Sequence, residues 1–427
     1  MKSPTPTPPR REGAVPKNTV SQNQSKTALC ASPSLRGRAG VGLLLCLILS
    51  GCITKYEPAG IEELADILVV EGIITDDETT ITLTRSVNLS GVFTSDPGDP
   101  SLTYYVNNAE VYVECEDGTQ FQAEPPDWWS SCLPRCDGRY KIMTGKLNPD
   151  KKYCLKIEIE EIDSDCYSGV GSGSCPAKTY KYSSISSYPI QTPEIDSVFW
   201  MKRGKGQPVS IHVATHSPDL KVLYYRWSYR EDWEIRSKFY TNKYPYFCWN
   251  SFNNREILLG SAEKTVFGRI TDKLTEMYPT SQKLSELYRI DVKQNVISKR
   301  AYDYFANIKK NNQQSGSIFA PVPSELRGNI TCETDPARPV IGYIDISTTT
   351  HKRMYIKSKD VYEQSFSNCV IQNRDEYCGD DLFCIWPPEF WVPYDERGLL
   401  YTYIGCVDCT YYGNTTIKPE DWPNILN

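Results

Sequence analysis

Metal and acid–base chemistry has few donors to draw on in this chain, which holds 3 histidines in 427 residues. His212 and His216 stand in "SIHVATHSPD", with Asp219 close behind. On a strand that spacing puts both rings on one face. It also separates them by roughly 13 Å, whereas zinc holds its ligands at about 2.0–2.3 Å. The pair therefore reads as a solvated strand face, and His351 stands alone ahead of a basic stretch. Cys406-Val407-Asp408-Cys409 resembles half of a zinc-ribbon pair, with Cys378 and Cys384 as its other half. The gap between those two is looser than a zinc knuckle allows, so disulfides are the better reading. "DSDCYSGVGSGS" starts like a calcium loop at Asp163 and Asp165, but Ser174 stands where the bidentate Glu belongs. Gly169, Gly171 and Gly173 lack the dinucleotide spacing. Carboxylate pairs such as Asp375 with Glu376 and Asp380 with Asp381 match a solvated surface as well as a glycosidase dyad. No metal, no cofactor and no catalytic constellation is expected, and the chain does not read as an enzyme.

What rises above background is aromatic density: 29 Tyr and 9 Trp against 5 Met. Tyr225, Trp227 and Tyr229 alternate and so share one strand face, which reads as core. Tyr244, Tyr246 and Trp249 follow in "YTNKYPYFCWN", broken by Pro245 and interleaved with Asn242 and Asn250. That cluster reads as surface. Trp128 and Trp129 are neighbours on the loop "PPDWWSSC", so both are not expected to be buried. Exposed aromatics beside polar side chains make platforms for sugars or peptides and are enriched at protein interfaces. These five are the candidate ligand or partner contacts.

A second chemistry sits near the start. From Val41 to Leu49 the chain is almost wholly apolar, preceded by Arg36 and Arg38. The run is too short for a bilayer span of about 20 residues and suits the apolar region of a secretory signal. It ends in Leu49-Ser50-Gly51-Cys52, which fits the bacterial lipobox. There the cysteine thiol receives a diacylglycerol and cleavage makes it the first residue. Residues 1–51 read as a removed leader, Cys52 as the lipidated residue, and 52–65 as a tether. Two or more acyl chains, at about 0.8 kcal/mol per buried methylene, give a stable membrane anchor.

About 375 residues then remain, enough for two ordinary cores. The net charge of -6 is mild and its signs are interspersed, so nucleic acid is not an expected partner. Thirteen cysteines follow Cys52; in an oxidising compartment disulfides are the default, and the odd count leaves one thiol free or paired to a partner. Cys166 and Cys175 frame a Gly/Ser loop that one bridge would close, and Cys406 and Cys409 are expected in disulfides too.

Period-two patterning dominates residues 66–192. Val111, Val113 and Cys115 face one way, Asp117-Gly118 makes a hairpin turn, and Tyr153, Leu155, Ile157 and Ile159 share a face. Short strands with no helix among them predict an immunoglobulin-like or prealbumin-like β-sandwich. Pro193 marks a boundary, and 193–427 reads as a β-rich α+β domain with a cysteine-rich tail. Its helix is expected near 298–311, where Ile297, Ala301, Tyr304, Phe305 and Ile308 recur with helical spacing behind Ser298 as N-cap. "RPVIGYIDIST" with "HKRMYIKS" reads as a hairpin.

The ordered set "YEP" after the lipobox, "LVVEGIITD", "VNNAEVYVECEDG", "YCLKI", "TPEIDSV", "ISKRAYDYFANIKK", "GNI" with "VIGYIDIS", and "CVDC" ahead of "IKPEDWP" resembles a family of Bacteroidota lipoproteins known as a domain of unknown function. The resemblance implies a cell-surface, lipid-anchored outer-membrane protein, often encoded beside SusC/SusD-like TonB-dependent transporters. With the aromatic clusters, this gives the leading expectation of an accessory subunit in nutrient uptake that binds or presents oligopeptide or glycan. A surface hydrolase acting on the same nutrient, or a purely structural subunit, are the alternatives.

Overall fold

The computed structural model of the chain describes residues 67–86, 105–124, 137–162, 177–217, 222–314, 328–363, 369–381 and 383–423. Before residue 193 the strands are β1 (Leu68–Glu71), β2 (Ile73–Ile74), β3 (Glu78–Arg85), β4 (Ala109–Cys115), β5 (Gln120–Gln122), β6 (Arg139–Met143), β7 (Tyr153–Ile162) and β8 (Ala177–Ser184). After it come β9 (Ile195–Lys202), β10 (Val209–His216), β11 (Tyr224–Arg236), β12 (Phe247–Asn253), β13 (Leu258–Ser261), β14 (Arg269–Met277) and β15 (Leu287–Val296). Helix α1 (Lys299–Gln314) follows, then β16 (Ile330–Cys332), β17 (Val340–Gly342), β18 (Asp345–Ile346) and β19 (Thr349–Lys357). Two short helices, α2 (Ser358–Val361) and α3 (Arg374–Cys378), precede β20 (Trp391–Pro393) and β21 (Tyr401–Tyr403).

The architecture is mainly β. Two sheets, ordered β17-β1-β3-β6 and β16-β8-β7-β4-β5, face each other as a sandwich. Val111, Val113, Cys115, Tyr153, Leu155, Ile157 and Ile159 fill one side of its core, against Leu68, Val70, Ile81 and Leu83. Strict alternation produced this: each of these side chains is buried while its sequence neighbours in β4 point outward. Asp117-Gly118 turns β4 into β5, with Gly118 at φ +87°. At about 1.5–3 kcal/mol for each fully buried aliphatic side chain, this core is the main driving force for the sandwich.

The second core gathers Ile211, Val213, Tyr225, Trp227, Tyr229, Tyr288 and Ile290 between a three-stranded sheet, β14-β10-β9, and a sheet ordered β12-β11-β15-β19 in which β13 also pairs β11. Helix α1 covers the other face of β11 through Ala301, Tyr304 and Phe305, which pack with Tyr224. Ser298 caps it, its hydroxyl accepting from the Ala301 N–H at 3.2 Å.

One expectation fails. Residues 338–358 do not form a hairpin: β17 runs parallel to β1, β18 parallel to β2, and β19 antiparallel to β15. Alternation announces a strand but not its partner, and here the partners lie in the sandwich and across the second sheet. Gly342 permits the β17–β1 approach, since a Cβ there would meet the Val70 carbonyl oxygen at 2.4 Å. The segment 330–346 thus completes sheets begun before residue 193. The two cores are joined further by Asp77 to Lys293 at 2.9 Å and by the Thr349 N–H to Asp76 at 2.8 Å.

Candidate functional site

Strand β11 runs the length of the second core, with Tyr225 near its start and Ile235 at its end both buried in it. Its last residues, Ile235 and Arg236, continue into a loop that returns as β12. The cysteine-rich tail folds back onto that end. Cys409 is bonded to Cys248 in β12, and Cys369 to Cys406. Backbone bonds complete the clasp: Phe239 N–H donates to Cys406 O at 2.9 Å and Cys409 N–H to Pro245 O at 3.2 Å.

Between tail and sheet lies a cleft of about 1140 Å³. Tyr246, Trp391, Tyr403 and Tyr412 give it aromatic walls; Arg236, Lys238 and Glu286 give it charge; Ser237, Thr280, Gln282 and Ser285 add hydroxyl and amide groups. Trp391 and Tyr403 stand directly opposite in the β20–β21 ladder. Tyr246 is held edge-on by Tyr240 and Phe247, at 5.4 and 4.9 Å between ring centres. Arg236 lies over the Phe247 ring at 5.0 Å and reaches Glu286 at 3.2 Å and Glu234 at 3.7 Å. Burial pushes the Glu286 carboxyl above its ordinary value; Arg236 pulls it back and Glu234 adds to the rise. Flat apolar faces beside a few oriented polar groups can stack on a sugar ring or a peptide side chain and fix its orientation by hydrogen bonds.

Gly405 sets the spacing of two walls. A Cβ there would lie 2.7 Å from the Tyr412 hydroxyl and 2.9 Å from Tyr403 Cε1. Gly405→Ala should displace the Tyr412 ring, weakening any cleft ligand about threefold to tenfold while moving the urea midpoint little. Titration of both proteins with one ligand checks this.

Of the aromatic candidates, Tyr246 lines the cleft. Tyr244 shares its loop, with Lys243 over its ring at 5.2 Å. Trp249 sits in β12, its backbone paired to Thr415, and its buried indole N–H has no hydrogen-bond partner among the described residues. Neither lines the cleft. Trp128, Trp129, Cys166, Cys175 and the lipobox residues Leu49, Ser50, Gly51 and Cys52 lie outside the described residues.

The tail cysteines form disulfides: Cys406 and Cys409 each bond a different cysteine, and Cys378 bonds Cys384. His212 stacks on Phe199 at 5.5 Å, and His216 pairs with Asp196 at 2.7 Å. Among the described residues no group of three His, Cys, Asp or Glu is placed to hold a metal ion. Tyr225, Trp227 and Tyr229 are core, as alternation indicated.

Sequence reasoning did not single out Arg236, Glu286, Trp391, Tyr403, Gly405 or Tyr412. Arg236 and Glu286 meet at the end of the β11–β15 pairing, and the tail residues join them where Cys248–Cys409 and Cys369–Cys406 hold the tail; connectivity cannot be deduced from cysteine spacing. The one signal available was the density of Trp and Tyr between the tail cysteines.

The model of a protein family described as a domain of unknown function (DUF4249) matches residues 53–165 and 176–353. No curated protein matches the chain.

Proposed function

This chain belongs to the DUF4249 family, and on that premise we propose that it is an outer-membrane lipoprotein, anchored through Cys52, that serves a TonB-dependent nutrient transporter. Its part is to bind or present an oligopeptide or glycan. The observation that carries the ligand-binding part is the cleft lined by Tyr246, Trp391, Tyr403 and Tyr412 together with Arg236 and Glu286. The lipobox at Leu49–Cys52 supports the anchor. The transporter link rests on the family resemblance described above.

Native co-purification tests the assembly. The tagged full chain is extracted from outer membranes in mild detergent, and its partners are identified by mass spectrometry. Stoichiometric recovery of a TonB-dependent transporter is the expected result. Recovery of the chain alone would remove the transporter from the proposal and leave a free-standing binder.

A surface hydrolase is the second reading, favoured by Glu286 and Glu234 sharing the Arg236 guanidinium, with Glu286 held toward its protonated form. Turnover of a bound glycan that Glu286→Gln abolishes without loss of binding would put that reading first.

A further inference from the structure

Beyond the cleft, the tail carries a small knob. Cys378 and Cys384 close a ring of sequence separation 6. From it Phe383 and Ile385 project at 93 % and 83 % exposure. Local bonds hold the described residues beside the bridge. Asp381 accepts from the Phe383 N–H at 2.9 Å and donates its own N–H to Cys378 O at 3.1 Å. Its base is fixed by Trp386, which packs on Tyr377 at 5.4 Å and edge-on to Tyr401 at 5.3 Å. Two large apolar side chains flanking a disulfide-bonded cysteine lose less conformational entropy on inserting into a pocket than they would on an open chain.

The charge around the knob identifies what it fits. From Cys369 onward the chain carries ten Asp and Glu against Arg374, Arg397 and Lys418, whereas the whole chain is only at -6. The acidic excess is therefore concentrated in this tail. Asp375, Asp380 and Glu389 are exposed beside the knob. An anionic lipid surface would be repelled by them, and so would the same face of a second copy.

We propose that Phe383 and Ile385, on either side of Cys384, dock a partner protein by entering an apolar pocket rimmed by Lys or Arg side chains. Phe383 and Ile385 do not line the cleft, although Tyr377 and Trp386 below them pack on its wall residue Trp391 at 5.5 and 6.0 Å; the proposal stands whether or not the cleft binds a nutrient.

Site-specific photo-crosslinking tests it. The photoreactive residue p-benzoylphenylalanine replaces Phe383 in the full chain, in the cells that produce it. The same residue at Phe267, itself 84 % exposed, is the control. The expected result is one discrete protein adduct at 383 and none at 267. The cross-linked peptide of that partner should carry Lys or Arg beside apolar residues. The combined variant Asp375→Asn, Asp380→Asn, Glu389→Gln should cut the adduct at least fivefold, because these carboxylates supply the complementary charge. Lipid adducts only, an adduct to a second copy, equal labelling at both positions, no adduct, or insensitivity to the triple variant would each overturn the proposal. The same melting curve for variant and parent shows that the fold is intact, and an unchanged free-thiol count shows that the bridge is.

Discussion

Arg289→Ala is expected to destabilise the protein by about 3–5 kcal/mol, the usual cost of removing one partner from a buried ion pair. Asp232 is fully buried and Arg289 nearly so, with Nη2 donating to Asp232 Oδ2 at 2.7 Å. The same guanidinium holds the tail. It donates from Nη1 to the Glu420 carbonyl at 3.0 Å and lies under the Trp422 ring at 5.2 Å. Urea unfolding should therefore show the lost stability, and the emission of Trp422, buried at 6 % exposure, should shift to the red.

The pH dependence has a definite sign. Burial raises the Asp232 carboxyl, but hydrogen bonds from Ser251, Arg289 and Arg230 outweigh it and leave it below its ordinary value of 3.8. A carboxyl lowered on folding contributes stability that is present above the unfolded value and lost as pH falls through the folded one. The gap between parent and Arg289→Ala should narrow as the pH drops below about 3.8. A gap of under about 1 kcal/mol at neutral pH, the size of a surface pair, would show that this pair is dispensable.

Removing the Cys248–Cys409 bridge is the second large perturbation. It spans 161 residues of sequence, against 37 for Cys369–Cys406 and 6 for Cys378–Cys384. In the chain-entropy view, stabilisation grows with the loop closed, from roughly 2–3 kcal/mol for the shortest to about 5 kcal/mol for the longest. Cys248→Ala with Cys409→Ala should cost the most, and the corresponding Cys378–Cys384 double variant the least. The first variant should also lose cleft binding, since the tail supplies Trp391, Tyr403 and Tyr412. Equal losses from all three double variants would mean that the bridges act through local strain and not through loop closure.

These two effects show where sequence stopped being informative. The sandwich core was legible because alternation reports burial directly: Val111, Val113, Leu155 and Ile157 lie where their spacing put them. Helix α1 was legible from its apolar stripe and its cap, and Tyr225, Trp227 and Tyr229 from their shared face. Pairing was not legible. Nothing in "RPVIGYIDIST" specifies that Val340 will lie beside Leu68. The buried cluster at Glu231, Asp232 and Arg289 was hidden for a related reason. Charged side chains read as solvated unless the elements covering both faces of the strand are known, and here the cover includes a tail more than a hundred residues away. The cleft needed the disulfide connectivity, so only Tyr246 of its wall was found in advance.

The central claim is that this cleft binds an oligopeptide or a glycan. Calorimetric titration of the lipid-free mature chain against panels of oligosaccharides and oligopeptides tests it most directly, repeated with Trp391→Ala and Tyr246→Ala. One ligand class should bind, and each substitution should weaken it about tenfold, equivalent to roughly 1.4 kcal/mol for a lost stacking face. Absence of binding by either panel, or a ligand held equally well by parent and both variants, would contradict it.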